Sequence, residues 1–273
     1  MILEDHLGDI IRKARMMSDL TSGAAAQAAQ ITEAALAVLE DCGQLPVKIN
    51  LAALAQALGL APEKLQGIAK GWLPAKTDLT RWCELRQFVS SGEGLTVNCY
   101  LVWDPATREA ALFDTGIDPQ PVLACLAENR LLLRHIFITH SHWDHVEALP
   151  KFRAAWPTAQ LHSSSPSAPI TQRNHRGETV QLGVLSITHR LTPGHADDGV
   201  TYLINGWPEN VATAAIVGDT ILAGSMCNGN GQWEIARKKI REEILTLPAA
   251  TLLCPGHGPL TTVGEEIVRN PFF

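Results

Sequence analysis

The sequence predicts an α/β fold that follows an all-helical N-terminal region. Residues 1 to about 75 are rich in helix-forming side chains, and apolar residues recur there near helical spacing. After about residue 80, apolar strand-like runs alternate with helical segments. Strands with apolar interiors are buried on both faces, so we expect sheets that are covered by helices. A chain of 273 residues can form one large or two modest domains, and we expect a helical domain at residues 1–76 and a second domain at residues 77–273.

Three helices are expected in the N-terminal domain. They are placed at Ala24–Leu39, Leu51–Leu58 and Ala61–Lys70. Gly59 separates the second helix from the third, and this pattern resembles the helix-turn-helix of repressor-like DNA-binding domains. The segment Gly71–Lys76 is the expected domain boundary.

The charge of this domain argues against a DNA-reading role. Residues 1–75 carry six basic and eight acidic side chains, a net charge of −2: Arg12, Lys13, Arg15, Lys48, Lys64 and Lys70 against Glu4, Asp5, Asp9, Asp19, Glu33, Glu40, Asp41 and Glu63. Affinity for DNA comes chiefly from neutralising phosphates, which an acidic domain does poorly. We therefore expect the helices to serve in packing or in homo-oligomer formation, and we do not expect nucleic acid as a partner.

The second domain is expected to begin with three strands and a helix. The strands are placed at Arg81–Val89, Leu95–Trp103 and Ala110–Asp114, and the helix at Pro119–Glu128. A further apolar run, Ile136–Ile138, predicts a buried strand that leads into a strongly polar segment.

Composition excludes several other classes of protein. The net charge of −6 gives no general attraction to nucleic acid or anionic lipid, and no apolar run reaches the roughly eighteen residues of a membrane span. The segment Met1–His6 lacks the basic start and the apolar core of a signal peptide. The six cysteines are scattered and form no C-x-x-C pair, which indicates reduced thiols in a cytoplasmic protein.

The polar segment at residues 139–145 contains four candidate metal ligands: His140, His142, Asp144 and His145. In an extended segment His140 and His142 point the same way, whereas the neighbours Asp144 and His145 diverge, which suits ligands of two different metal ions. Imidazole and carboxylate are preferred ligands of zinc, iron and manganese. The alternative interpretation is a polar loop in which Asp144 caps a helix. Four candidate ligands within six residues favour the metal site.

Three further polar residues each follow an apolar, strand-like run. They are His195 after residues 185–188, Asp219 after residues 214–217 and His257 after residues 250–254. Ligands at the carboxyl ends of separate strands allow a rigid sheet to hold a metal cluster while the loops vary. A glycine beside each of the three permits the close backbone approach that such a cluster needs.

Together these motifs resemble the metallo-β-lactamase fold hydrolases, and in particular their glyoxalase II-like branch. The resemblance rests on H-x-H-x-D-H at residues 140–145, T-P-G-H ending at His195, G-D-T around Asp219 and P-G-H-G-P around His257. It extends from about Gly94 to Phe273. It implies an αββα sandwich, in which two sheets lie back to back and the metals lie at one edge.

The resemblance implies two divalent metal ions and seven ligands. One metal would be bound by His140, His142 and His195. The other would be bound by Asp144, His145 and His257, and Asp219 would bridge both. Zn(II), Fe(II) and Mn(II) suit these donors alike.

Two further roles are expected for carboxylates. Asp144 is a metal ligand and also the candidate proton acceptor in catalysis. Asp114, at the end of its strand, is a candidate for orienting a ligand histidine, although a turn-forming role before Gly116 explains it equally well.

The implied activity is that of a dinuclear metal-dependent hydrolase, in which a hydroxide held between the metals attacks a small thioester or ester. Ala148 stands where the family usually has glycine. The chain after His257 has no counterpart of the C-terminal helical region that binds glutathione in full-length glyoxalase II, so we expect a small-molecule substrate without specifying glutathione. Loops at residues 163–176 and 226–233 are expected to shape the pocket.

Four alternative functions remain open. A persulfide dioxygenase would use a single iron and only His140, His142, His195 and Asp219. Lactonase and phosphodiesterase activities would use the same hydroxide. A metal-dependent transcriptional regulator would use the N-terminal helices, and their acidic charge argues against it.

Overall fold

The structure, a computed structural model, describes residues 2–175, 177–208 and 211–273. The N-terminal helices are α1 (Leu7–Met17), α2 (Ser22–Ala29), α3 (Glu33–Cys42), α4 (Leu51–Ala57) and α5 (Pro62–Ala69). The later helices are α6 (Gln120–Glu128), α7 (Trp143–Val146), α8 (Leu149–Ala155), α9 (Trp233–Lys239) and α10 (Val263–Arg269). In this part of the chain, none of the helices has both the length and the apolar character that crossing a bilayer requires.

The strands form two sheets. The first sheet has the order β1 (Leu85–Gly92), β2 (Leu95–Trp103), β3 (Glu109–Phe113), β4 (Leu132–Phe137) and β5 (Gln160–His162). The second has the order β11 (Thr261–Thr262), β10 (Leu252–Pro255), β9 (Ala214–Gly218), β8 (Val200–Asn205), β7 (Leu185–Leu191) and β6 (Val180–Leu182). The pairs β3–β4, β4–β5 and β9–β10 are parallel, and the other neighbouring strands are antiparallel.

Three buried clusters define the layers. The sheets pack face to face through large side chains such as Phe113, Phe137 and Tyr202. Helices α6 and α8 cover the outer face of the first sheet, where Leu126 and Phe152 are buried. Helices α9 and α10 and the N-terminal helices cover the outer face of the second sheet. The αββα sandwich expected from the sequence is thus confirmed.

The N-terminal helices differ in detail from the sequence prediction. The single helix expected at Ala24–Leu39 is wrong: it is two helices, α2 and α3. Gln30 adopts a left-handed conformation with φ of 58° that ends α2, and the Thr32 side chain accepts a hydrogen bond from the Ala35 N–H and starts α3. Side-chain capping therefore overrides the continuous helix propensity of this segment.

The first strand also begins later than predicted. Residues 79–81 form a short 3-10 helix, and β1 extends through Gly92, so only residues 93 and 94 form the hairpin turn. The strands predicted after it are found within one residue of their expected bounds. Residues 72–78, which contain much of the expected domain boundary, form neither helix nor strand.

The helix that resembles a DNA-recognition helix, α5, packs against the C-terminal part of the chain. The Lys64 ammonium donates hydrogen bonds to the carbonyl oxygens of Ile267 (2.7 Å) and Phe273 (2.5 Å). The Ala61 N–H donates to the Pro271 carbonyl at 2.8 Å. Lys64, the single cation within α5, is therefore used within the molecule.

Candidate metal centre

The candidate ligands lie on loops and on the short helix α7, which follow the carboxyl ends of strands from both sheets. The segment 140–145 follows β4, His195 follows β7, Asp219 follows β9 and His257 follows β10. The structure brings all seven sequence-predicted ligands together at one edge of the sandwich.

Three imidazoles form the first donor group. Nδ1 of His142 lies 3.0 Å from Nε2 of His140 and 2.9 Å from Nε2 of His195. The Asp219 Oδ2 atom lies 3.5 Å from His195 Nε2 and 4.0 Å from His140 Nε2. Ligands on a tetrahedral ion with bonds of 2.0–2.1 Å are about 3.4 Å apart, so these separations match the edges of one coordination shell.

The second donor group combines imidazole and carboxylate. The Asp144 Oδ2 atom lies 3.3 Å from His257 Nε2 and 3.6 Å from His145 Nε2. Asp219 faces this group as well, with Oδ1 at 3.4 Å from His145 Nε2 and Oδ2 at 3.3 Å from His257 Nε2. Asp219 is thus placed between the two groups.

Hydrogen bonds fix the ring orientation of most of these histidines. The Nδ1 atoms of His195 and His257 donate to the carbonyls of Asn228 (2.9 Å) and Thr96 (2.5 Å). When the ring is neutral, each bond leaves Nε2 without a proton and directed into the cluster, as metal ligation requires. No sequence motif pointed to these two partners, because a backbone carbonyl carries no residue-type signal.

Asp114 is linked by hydrogen bonds to a histidine of each donor group, directly to one and through Thr139 to the other. The Asp114 Oδ2 atom accepts hydrogen bonds from His145 Nδ1 at 2.8 Å and from Thr139 Oγ1 at 2.7 Å. The Thr139 hydroxyl in turn lies 3.1 Å from His140 Nδ1, from which it can accept. Asp114 also accepts from the Thr139 N–H and adopts φ of 54°, so its turn geometry and its contact with the ligands occur together.

Neighbouring carboxylates set the pKa values of the second donor group. Burial lowers the pKa of His140 and of His195. Burial acts in the same direction on His145 and His257, but nearby carboxylates outweigh it and raise the pKa of His145 to about 10 and that of His257 to about 11. The buried carboxylates therefore require positive charge beside them, which protons or metal cations can supply.

Two buried polar atoms test whether these residues fit metal ions. In the part of the chain that the structure describes, His145 Nε2 and Asp219 Oδ1 are fully buried and have no hydrogen-bond partner, although they lie 3.4 Å apart. Unpaired buried polar atoms are costly. A divalent cation bound by these two atoms removes that cost, so the donor set fits a metal site.

Close packing around Asp219 explains one of the expected glycines. A Cβ atom on Gly256 would overlap Asp219 Oδ1 and approach His145 Cε1. Any side chain here would displace a ligand from each donor group. Glycine is therefore needed at this position for close approach rather than for backbone conformation.

The alternative interpretation of Asp144 as a helix cap is wrong. The residue that precedes α7 is His142, and Asp144 is the second residue of that short helix. The Asp144 side chain is directed at His257 and His145. Helix α7 thus presents consecutive ligands to the second donor group.

The two loops expected to shape the pocket make different contacts. The loop after Asp219 contacts His195 through Asn228 and Asn230. In the loop at residues 163–175, Asn174 donates to the Tyr202 hydroxyl at 2.9 Å. Arg176, the last residue of that expected loop, lies outside the described residues.

An αββα sandwich with seven imidazole and carboxylate donors at one edge defines the class of metal-binding metallo-β-lactamase fold enzymes. The family model of the metallo-beta-lactamase superfamily matches residues 92–257. The chain therefore belongs to the metallo-β-lactamase superfamily and is a hydrolase-type enzyme of that family.

Individual relatives agree with this assignment. The chain is 27% identical over 188 residues to the probable metallo-hydrolase YqgX of Bacillus subtilis, covering 60% of this chain and 87% of the relative. It is 26% identical over 200 residues to the hydroxyacylglutathione hydrolase GloC of Haemophilus influenzae, covering 64% and 92%. The crystal structure of ETHE1 from Myxococcus xanthus is 30% identical with a TM-score of 0.60, covering 68% of this chain and 83% of that one. The N-terminal helices precede the region that the family model matches.

Proposed function

We propose that the protein is a dinuclear metal-dependent hydrolase that acts on a small thioester or ester. The observation that carries this proposal is the presence of two donor groups that share Asp219, with unpaired buried atoms of His145 and Asp219 between them. Zn(II), Fe(II) and Mn(II) are the ions that these donors favour.

In this proposal each donor group holds one metal ion. The first ion would be held by His140, His142 and His195. The second would be held by Asp144, His145 and His257, and Asp219 would contribute to both. When bound, such ions acidify water and polarise a substrate carbonyl.

The protein's own residues position these groups and accept a proton. Burial raises the pKa of Asp144, but the hydrogen bond to His257 and the charge of His145 lower it overall. The Asp144 carboxylate is therefore ionised near neutral pH, and we propose it as the proton acceptor for the attacking water. Asp114 keeps His145 oriented through the 2.8 Å hydrogen bond.

A thioester is the favoured substrate class. The support is the likeness to the hydroxyacylglutathione hydrolase of Haemophilus influenzae, which spans 92% of that relative. S-Lactoylglutathione and acyl thioesters of smaller thiols, with thiol release as the readout, separate a glutathione requirement from a general thioesterase activity. Lactones and phosphodiesters in the same panel test the other two hydrolytic alternatives.

The experiment that tests the proposal combines metal content and hydrolysis. We expect two metal ions per chain by elemental analysis, loss of activity on chelation and recovery on adding metal back. His145→Ala and Asp219→Asn should lower kcat/KM about 100-fold or more, because each removes a metal ligand. His189→Ala, outside the cluster, is the control and should retain wild-type activity. A chain with a single iron or none would contradict the dinuclear proposal.

A persulfide dioxygenase reaction would use only the first donor group and Asp219. The second group counts against that alternative, because Asp144, His145 and His257 all face the same cluster. Oxygen uptake with a persulfide substrate, in the absence of any thioester hydrolysis, would replace the hydrolase proposal with the dioxygenase.

A further inference from the structure

The loop at residues 222–232 connects Asp219 to α9 and holds one of the candidate ligands. Its Asn228 carbonyl accepts the hydrogen bond from His195 Nδ1 at 2.9 Å, and the Asn230 side chain donates to the His195 carbonyl at 3.1 Å. Gln232 donates to Asp197 at 2.8 Å. The orientation of His195 therefore depends on where this loop lies.

The same loop brings a buried thiol to the metal centre. Cys227 is 7% exposed, and its Sγ lies within 4.8 Å of ligand atoms of His195 and Asp219. A movement of the loop would therefore change both the metal centre and the accessibility of this cysteine. The reactivity of the Cys227 thiol therefore reports on the position of the loop.

Two parts of the chain hold this loop in place. From one side, α10 contributes Asn270, whose side-chain amide donates to the Ser225 carbonyl at 2.8 Å. From the other side, the N-terminal segment contributes Asp5 and Lys13. Lys13 Nζ donates to Asp5 Oδ2 at 2.5 Å and to the Met226 carbonyl at 3.2 Å. The Ser225 hydroxyl donates to the same Asp5 oxygen at 2.5 Å.

Asp5 and Lys13 form a buried ion pair within the N-terminal segment. The side chains of Lys13 and Asp5 are only 19% and 10% exposed. Buried charges of this kind are stable only when they are paired and hydrogen-bonded, so removing either partner leaves an uncompensated charge beneath the loop. The pair is consequently a specific support for residues 225 and 226 rather than a solvent-screened surface contact.

We propose that the Asp5–Lys13 pair is a positioning element of the metal centre, which holds the 222–232 loop so that Asn228 orients His195 and Cys227 stays beside Asp219. This inference rests on the proposed function, since it takes His195 as a metal ligand. It gives the N-terminal helices a role in the active site, although they lie outside the region shared with the family.

The chain offers a closely matched control. Arg15, on the same helix α1, pairs with Glu40 through two hydrogen bonds of 2.6 and 2.8 Å. These side chains are 20% and 9% exposed, nearly the values for Lys13 and Asp5. The other hydrogen bond from Arg15 goes to the Leu20 carbonyl, also within the N-terminal helices. Breaking this pair should cost similar stability without affecting the loop.

The experiment compares Lys13→Met and Asp5→Asn with Arg15→Met and Glu40→Gln in the full chain. Metal dissociation constants for Co(II) and Zn(II) are measured by competition with a chelator. The conditions are chosen so that the same fraction of each variant is folded. The rate of Cys227 alkylation by iodoacetamide is measured in the metal-free proteins by peptide mass. Lys13→Arg, which retains the charge and the donors, tests for rescue.

We expect Lys13→Met and Asp5→Asn to weaken metal binding about 10- to 100-fold, the usual effect of losing an outer support of a ligand. Cys227 alkylation should accelerate about ten-fold or more in these two variants, because the loop opens locally. The Arg15 and Glu40 variants should leave both quantities within about two-fold of wild type. Lys13→Arg should restore most of the metal affinity.

Two results would overturn the inference. Equal losses in the control variants would mean that any buried pair of α1 has the same effect through general stability. Wild-type metal affinity and a protected Cys227 in Lys13→Met would mean that the loop holds its position unaided. If the wild-type chain bound no metal, the proposed function would fail, and the alkylation rates would still decide whether the pair holds the loop.

Discussion

At the scale of single residues, Asp114 links the two donor groups. Its Oδ2 atom accepts from His145 Nδ1 directly, and it reaches His140 through the Thr139 hydroxyl. In a neutral ring, each contact holds the proton on Nδ1 and leaves the cluster-facing nitrogen free. One carboxylate thus favours the same tautomer in a histidine of each donor group.

Asp114→Asn should weaken metal binding about 10- to 100-fold. Asparagine tolerates the φ of 54° at this position, so the backbone is preserved. Its amide nitrogen, placed where Oδ2 lies, cannot accept from His145, which favours the tautomer with a proton on the metal-facing Nε2. Chelator competition with Zn(II) measures the effect.

Asp118→Asn is the control for this variant. Asp118 lies four residues further along and accepts only a local hydrogen bond, from the Gln120 N–H at 2.9 Å. Its replacement should not change metal affinity. Equal metal affinity in the Asp114 and Asp118 variants would show that the histidine tautomers do not depend on Asp114.

The clustering of the candidate ligands was predictable from the sequence, but most of their hydrogen-bond partners were not. His140, His195 and His257 are polar residues at the ends of apolar runs, and this contrast is a signal that the sequence carries. The carbonyls of Thr96 and Asn228 belong to residues of unremarkable type, and only the fold shows that they accept from ligand histidines. Backbone groups and long-range contacts leave no pattern in a single sequence.

At the scale of elements, α10 clamps the loop that follows Asp219. Glu266 is buried, and its carboxylate accepts hydrogen bonds from the Gly224 N–H (3.0 Å), the Thr261 hydroxyl (2.7 Å) and the Asn270 amide (2.8 Å). Burial raises the pKa of Glu266 to about 7, more than the hydrogen bonds lower it. The clamp is therefore sensitive to pH.

The stability that Glu266 contributes should fall as pH rises. Its pKa is 4.5 in the unfolded chain and about 7 when folded, so between these values the folded state holds a proton that the unfolded state does not. Stability from this group is complete below pH 4.5 and is lost by pH 7 and above. The loss is on the order of 3 kcal/mol.

The measurement is urea unfolding of the metal-free protein at low and neutral pH. Glu266→Gln has no titrating group at this position. The free energy of unfolding of the variant minus that of wild type should therefore increase from about pH 5 to about pH 8, by on the order of 3 kcal/mol. A difference that stays constant between these two pH values would exclude a proton bound by Glu266 in the folded state.

At the scale of the whole molecule, the N-terminal helices and the second sheet share one core. Leu36, Leu54 and Leu65 of the helices belong to the same buried cluster as Ala215 and Val217 of β9. The sequence predicted helices here and a boundary after them, but not the surface that they cover. Amphipathic spacing shows that a helix has an apolar face without indicating its partner.

We expect the full chain to unfold in a single transition, because a continuous core couples the helices to the sandwich. Calorimetry should give a van't Hoff enthalpy close to the calorimetric enthalpy. A chain that starts at residue 77 should aggregate, since it exposes the apolar outer face of β9. Two separate transitions, or a soluble and metal-binding fragment 77–273, would support an independent helical domain instead.

The contacts of Lys13 and Lys64 with distant partners affect how the chain is made. Lys13 bonds a carbonyl 213 residues later, and Lys64 bonds one 209 residues later. At ribosomal rates of about 5–20 residues per second, some 10–40 s separate the emergence of these helices from that of their partners. Throughout this interval the leucine-lined sides of the nascent helices are open to solvent and to chaperones. The contacts of these helices with residues 226 and 273 thus form only after that part of the chain has been synthesised.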